Sequence, residues 1–149
     1  MTSNIKKAAY LLIAVFLFAL DRFFKDWALK GYEFSLIKNF LSFKFAANPY
    51  IAFSLPIKGM VLNFIIASLI VGLIYYLAKE QSKFMPIFVL FFSLIILGAV
   101  SNFWDRLIYG YVIDYFDCKY FTVFNLADAM IFVGVITYLF SQKKITQIG

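Results

Sequence analysis

Histidine is absent from the 149-residue sequence, and cysteine occurs once, at Cys118. Without an imidazole the chain has no Ser-His-Asp or Cys-His apparatus for nucleophilic catalysis and no His-ligated metal site. A lone cysteine forms no intrachain disulfide, and without a histidine beside it Cys118 reads as an ordinary loop thiol. Acid is scarce as well: eight Asp and Glu stand against fourteen Lys and Arg, for a net charge of +6. The bases are scattered beside apolar segments rather than clustered, which is the pattern of membrane-flanking charge and not of a nucleic-acid footprint. Internal repeats, low-complexity tracts and polar interdomain linkers are lacking, so residues 1–149 are expected to form one domain.

What fills the sequence is apolar. It is 64% hydrophobic and 21% aromatic, with a mean hydropathy of +0.87, far above the apolar share of a soluble domain. The expectation is an all-α membrane protein with four transmembrane helices, at about 8–27, 57–78, 84–103 and 125–141. Met1–Lys7 followed by Ala8–Leu20 has the charged and apolar regions of a signal peptide. Asp21-Arg22 follows at once without a small-residue cleavage site, so this segment is read as a retained first helix. After it, Leu41–Phe45 alternates apolar and polar with the period of a half-exposed strand, Asn48-Pro49-Tyr50 signals a turn, and Ile51–Leu55 returns to an extended pattern. A small extracytoplasmic β element is therefore expected between helices 1 and 2. Pro86 opens the third helix, where its missing N–H costs little.

Four spans put both termini on one side. The flanks there carry Lys6, Lys7, Lys79, Lys83, Lys143 and Lys144 with Glu80 as their one acid, while seven of the eight acids lie opposite. Short lysine-bearing flanks nearly free of acid favour cytoplasmic termini.

The opposite side holds the chemistry. Gly98–Asp128 carries Asp105, Arg106, Asp114, Asp117 and Asp128 between and inside two apolar segments, where each ionised group is costly and is by default functional. Asp114 follows Val112-Ile113 and Asp128 follows Leu126-Ala127, with no adjacent base to neutralise either. Asn102, Asp105 and Arg106 fall at i, i+3 and i+4 on one helical face, with Arg106 as the expected partner of Asp105. Asp21 and Lys25 share a face of the first helix at i, i+4. Without His, Cys or a metal cluster, two carboxylates sharing one proton can still hydrolyse a peptide, one as general base and the other as acid. The same acids in a small transporter would be ion or proton ligands, so that reading stays open on the residues alone.

Five segments carry a family resemblance: Asp21–Lys25 (DRFFK), Asn48–Ser54 (NPYIAFS), Gly98–Arg106 (GAVSNFWDR), Gly110–Asp117 (GYVIDYFD) and Phe124–Asp128 (FNLAD). In this order the chain resembles the lipoprotein signal peptidases (signal peptidase II). The resemblance implies a monomeric four-helix aspartyl endopeptidase of the bacterial inner membrane, without cofactor or metal. Such an enzyme removes the signal peptide from diacylglyceryl-modified prolipoproteins just before the lipidated cysteine, at a site facing the outer side. By motif position it implies Asp114 and Asp128 as the catalytic pair, with Asp21, Lys25, Asn48, Asn102, Asp105, Arg106 and Asn125 in substrate-binding or supporting roles. The chain departs from the family pattern at Arg22, where Gln is usual, in the loop from Asn48 to Phe53, which lacks a glycine, and at Ser101, where the family has Gly. The altered loop motivates one further alternative, a catalytically inactive homologue that only binds.

Overall fold

The computed structural model describes residues 2–49, 59–80 and 85–146. The expected extended stretch Ile51–Leu55, the residue Tyr50 of the expected turn and the connector after Glu80 lie outside them. The element order is α1 (Ser3–Leu29), β1 (Phe34–Ile37), β2 (Leu41–Asn48), α2 (Met60–Glu80), α3 (Pro86–Tyr109), β3 (Val112–Cys118), β4 (Val123–Phe124) and α4 (Leu126–Thr146).

Each helix forms where an apolar run contains no internal proline, and glycines stop two of them. Gly31 adopts φ +79 just past α1 and donates its N–H to the Ala28 carbonyl. Gly110 adopts φ +80 past α3 and donates to the Arg106 carbonyl. Only glycine takes this left-handed cap without a Cβ penalty. Thus α3 runs six residues beyond the expected end of the span at residue 103, and Asp105 and Arg106 stand on the helical face expected for them.

Met60–Lys79 and Pro86–Tyr109 are long and apolar enough to cross a membrane, and Leu126–Ser141 is a shorter apolar stretch. The helix sides expose large apolar residues, among them Phe16, Phe64 and Phe132, each about two-thirds exposed or more. Exposed apolar surface on this scale requires a covering, and lipid supplies it.

The β element differs from expectation in its makeup. It is a four-stranded antiparallel sheet in the order β1-β2-β3-β4, and half of its strands come from between α3 and α4. Asp114 therefore stands on a central strand. In the register Ala46 opposes Asp114 and Phe43 opposes Phe116, with a bulge between them. The sheet packs on the end of α1: Phe43, Ile113, Tyr115 and Ala28 are buried together with Phe24 and Trp27 against them. Burial on both faces of β3 explains why its sequence, VIDYFDC, shows no alternation.

The α3–α4 contact depends on two glycines. A Cβ on Gly98 would stand 2.6 Å from the Ala127 carbonyl oxygen, and one on Gly134 would stand 2.8 Å from that of Phe91. Their missing side chains let the two backbones meet, and the first meeting point lies next to Asp128.

Candidate active site

The site is assembled where α1, α3, β3 and the start of α4 converge. Asp114 comes from β3 and is buried. Its Oδ1 accepts from Asn125 Nδ2 at 2.6 Å and its Oδ2 from Asn48 Nδ2 at 2.9 Å. Asn48 reaches it because Asn48 and Ala46, which opposes Asp114, project from one face of β2.

Asp128 sits in the first turn of α4, half-buried. Asn125 immediately precedes the helix and exchanges bonds with it: Asn125 Oδ1 accepts the Asp128 N–H at 2.8 Å, and Asp128 Oδ2 accepts the Asn125 N–H at 3.3 Å. This is a capping box in Asn-x-x-Asp form, and it fixes the carboxylate at a helix N-terminus, where negative charge is favoured. Asp128 Oδ1 accepts from Asn102 Nδ2 at 2.7 Å. Asn125 thus holds both carboxylates, one through its side chain and one through the cap.

Beneath the pair lies an ionic cluster in which Lys25, Asp21 and Asp105 are fully buried and Arg22 is a quarter exposed. The Lys25 ammonium is 2.7 Å from Asp105 Oδ2 and 3.1 Å from Asp21 Oδ2, and it donates to Asn102 Oδ1 at 2.8 Å and Ser101 Oγ at 3.2 Å. Arg22 donates to the other Asp105 oxygen. Asp21 also accepts from Ser101 Oγ, Tyr115 Oη and the Ala127 N–H. Two carboxylates, Asp21 and Asp105, therefore face two cations, Lys25 and Arg22, and every oxygen has a donor. This satisfies the condition under which charges tolerate burial.

Asp114 lies apart from that balance. Burial, reinforced by the Asp128 carboxylate, pushes its carboxyl up to about 7, against the pull of the Asn48 and Asn125 bonds and of the Lys25 ammonium. Tyr115 is also pushed up, by burial and by Asp21, so its hydroxyl stays a donor.

The nine residues that the resemblance assigned to the site are brought together here, while Asp117 of the same acidic stretch lies opposite Ser42 toward the other end of β3. Arg106 joins through a bond to the Asn102 carbonyl at 3.3 Å. The expected pairing of Arg106 with Asp105 is not found: Asp105 pairs with Lys25 and Arg22. Adjacent helical residues point about 100° apart, so they do not face each other. The Asp21–Lys25 pair is a buried hub and not a surface pair. Sequence reasoning missed three contributors. Tyr115 carried no signal beyond its place beside Asp114. Arg22 registered only as a departure, and Ser101 only as a small residue, although its hydroxyl bridges Asp21, Lys25 and Arg22. Among the described residues no group of three or more His, Cys, Asp or Glu side chains is placed to hold a metal ion.

A family model described as signal peptidase (SPase) II matches residues 13–143. The chain belongs to the signal peptidase II family. It is similar to the lipoprotein signal peptidase of Clostridium novyi (strain NT), with 41% identity over 137 residues, covering 84% of this chain and 90% of that protein. The lipoprotein signal peptidase of Streptococcus pneumoniae (strain ATCC BAA-255 / R6) is 36% identical over 149 residues, covering 93% and 95%. A solved bacterial membrane enzyme matches with a TM-score of 0.82 at 29% identity, covering 93% of this chain and 90% of that one. The role of the signal peptidase II family is to cleave signal peptides from prolipoproteins. Membership makes the chain a membrane-embedded peptidase.

Proposed function

We propose that the chain is an aspartyl endopeptidase of the inner membrane that cuts diacylglyceryl-modified prolipoproteins before the lipidated cysteine, with Asp114 and Asp128 as its catalytic pair. The observation that carries this reading is the shared clamp, in which Asn125 holds a carboxyl from β3 and a carboxyl from α4 at once. Asp114, pushed up to about 7, holds the shared proton near neutral pH. Asp128, which accepts from Asn102 Nδ2 and the Asn125 N–H at a helix N-terminus, takes the part of the general base in this reading.

In the reaction, Asp128 takes a proton from a water that attacks the scissile carbonyl carbon, while Asp114 gives its proton to the carbonyl oxygen. The resulting gem-diol collapses as Asp114 recovers a proton from a diol hydroxyl and Asp128 passes its proton to the leaving nitrogen. Both residues return to their starting states, and no metal takes part. Asn48, Asn102 and Asn125 hold the pair, and the Asp21–Lys25–Asp105–Arg22 cluster supports them from below; Arg106 lines the neighbouring cleft between α2 and α3, about 540 Å³ in volume, as a substrate-side cation.

The chain works as a single-domain monomer with four spans, α1 to α4, and cytoplasmic termini. The pair then lies near the outer face, where a signal peptide's apolar segment ends. A lipidated precursor slides in between helices with its acyl chains still in hydrocarbon, each CH₂ holding it to the membrane by about 0.8 kcal/mol. Incubation of the purified protein with lipidated and delipidated precursor tests the reading, with much faster cutting expected of the lipidated form. Equal rates would remove the lipid from recognition. Cysteines introduced by Lys119→Cys and Gln81→Cys in a Cys118→Ser background should label from opposite sides of the membrane. Labelling of both from outside would overturn the topology.

A further inference from the structure

Two turns of the sheet meet at the end remote from Asp114. The β1–β2 turn contributes Ile37, Lys38, Asn39 and Phe40, and the β3–β4 turn contributes Lys119, Tyr120, Phe121 and Thr122; all eight are exposed. The turns are joined by a bond from the Lys119 N–H to the Phe40 carbonyl at 3.0 Å and by the Phe40 and Tyr120 rings, with centroids 6.4 Å apart. Phe121 is 74% exposed and Tyr120 77%, in a sheet whose other aromatic residues largely stack on one another. Folding gains nothing from leaving these rings in water, so they point to a surface that covers them.

The charges say what that surface is. Among the described residues neither Lys38 nor Lys119 has a carboxylate within ion-pair distance, and the Lys119 ammonium instead rests over the Tyr120 ring at 5.5 Å. Asp117, the acid nearest Lys119 in sequence, is half-buried and forms no ion pair either. A hollow of about 500 Å³ between the turns is lined by Asn39, Ser42, Asp117 and Lys119 among others, which gives hydrogen-bonding groups beside the ammonium.

The tip also lies close to the end of α1. Phe43 meets Phe24 in the last two turns of α1 at 6.1 Å between rings, and Phe40 lies three residues before it, roughly 10 Å along the strand. Trp27 and Tyr32 stand 5.4 Å apart at the end of α1, and Trp104 and Tyr109 lie in the last two turns of α3, the pattern aromatic residues form at a membrane interface. An aromatic tip with two unpaired lysines so near the end of an apolar helix matches a bilayer surface carrying negative headgroups.

We propose that the paired turns Ile37–Phe40 and Lys119–Thr122 dock on the outer leaflet through anionic phospholipid headgroups, the aromatic rings entering the interface and the two lysines binding the phosphates. This goes beyond the peptidase reading and rests on it only for which end of the helices meets the leaflet. Docking at this end would hold β2 and β3, and with them Asn48 and Asp114, at a fixed height above the bilayer.

The test uses the full chain in a Cys118→Ser background with Thr122→Cys carrying an environment-sensitive fluorophore. It is reconstituted into vesicles of phosphatidylcholine alone or with phosphatidylglycerol, with spin-labelled lipid as quencher. In vesicles with phosphatidylglycerol the emission should shift to the blue and be quenched, and both effects should fall severalfold in phosphatidylcholine alone. Lys38→Gln with Lys119→Gln should abolish that lipid difference, and Phe40→Ser with Tyr120→Ser should reduce quenching in both vesicles. Water-like emission without quenching in either vesicle overturns the proposal. So does a signal that is indifferent to phosphatidylglycerol and to the lysine changes, because the occupant would then be neutral lipid or another protein. The readout does not depend on cleavage, so it can fail while the peptidase assignment stands.

Discussion

Replacing Lys25 with Met removes the cation at the centre of the buried cluster while keeping most of the side-chain volume. The Lys25 ammonium touches Asp21 at 3.1 Å and Asp105 at 2.7 Å, and all three side chains are fully buried. After the change Asp105 retains Arg22 and the Ile113 N–H, but Asp21 is left as a buried carboxylate with only neutral donors. Breaking a buried pair by removing one partner costs about 3–5 kcal/mol, which for a chain of this size corresponds to a fall in Tm of roughly 10–15 °C. Asn102 Oδ1 also loses its Lys25 donor at 2.8 Å and keeps only Asn125 Nδ2 at 3.1 Å, so the amide that orients Asp128 is held less firmly and turnover should drop together with stability. Thermal unfolding of detergent-solubilised protein measures the first effect and prolipoprotein cleavage the second. The discriminating variant is the double change Lys25→Met with Asp21→Asn, which removes the stranded charge and should recover part of the lost Tm. A single variant as stable as wild type, or a double variant less stable than the single, would refute the charge-balance reasoning.

Asp114 is held up to about 7 from an ordinary 3.8, so below about pH 7 it keeps the proton the mechanism needs, and kcat/KM should fall as pH rises through that value. The stability sign follows: the unfolded chain ionises this carboxyl from about pH 4 upward while the folded chain resists, so its contribution to stability is lost between about 4 and 7. Asp114→Asn should flatten that part of the stability profile. Gly98→Ala would drive a methyl against the Ala127 carbonyl oxygen, now 2.6 Å from the Cβ position, so it should cost about 1–3 kcal/mol in thermal unfolding and shift Asp128 enough to lower turnover. Chelators should leave the cleavage rate unchanged, and a loss restored by added zinc would contradict the two-carboxylate mechanism.

The helices were legible because long apolar runs have few other outcomes, but the end of α3 was not, since Gly110, whose left-handed cap stops it, lies seven residues past the apolar run. β3 was not legible. Its seven residues are buried on both faces or packed at the sheet centre, so no alternation survives, and two aspartates break the apolar run. The carboxylates were nameable as candidates because ionised groups are costly beside membrane spans, whereas Asn48 and Asn125 were named only through the family resemblance. Their pairing was not nameable, since Lys25 and Asn102 lie 77 residues apart and meet only through helix packing. The local part of the site, Asn125 capping the turn that bears Asp128, follows from Asn-x-x-Asp ahead of an apolar run and could be read in one dimension.

The central claim is that Asp114 and Asp128 are the catalytic pair, and separate Asp114→Asn and Asp128→Asn variants test it most directly. Each keeps the size of the side chain but removes the exchangeable acid proton. Turnover of a lipidated prolipoprotein by the reconstituted enzyme should fall in each variant by about 10³-fold or more, with thermal unfolding showing both still folded. Near-wild-type turnover in either variant would contradict the assignment of both carboxyls to the reaction.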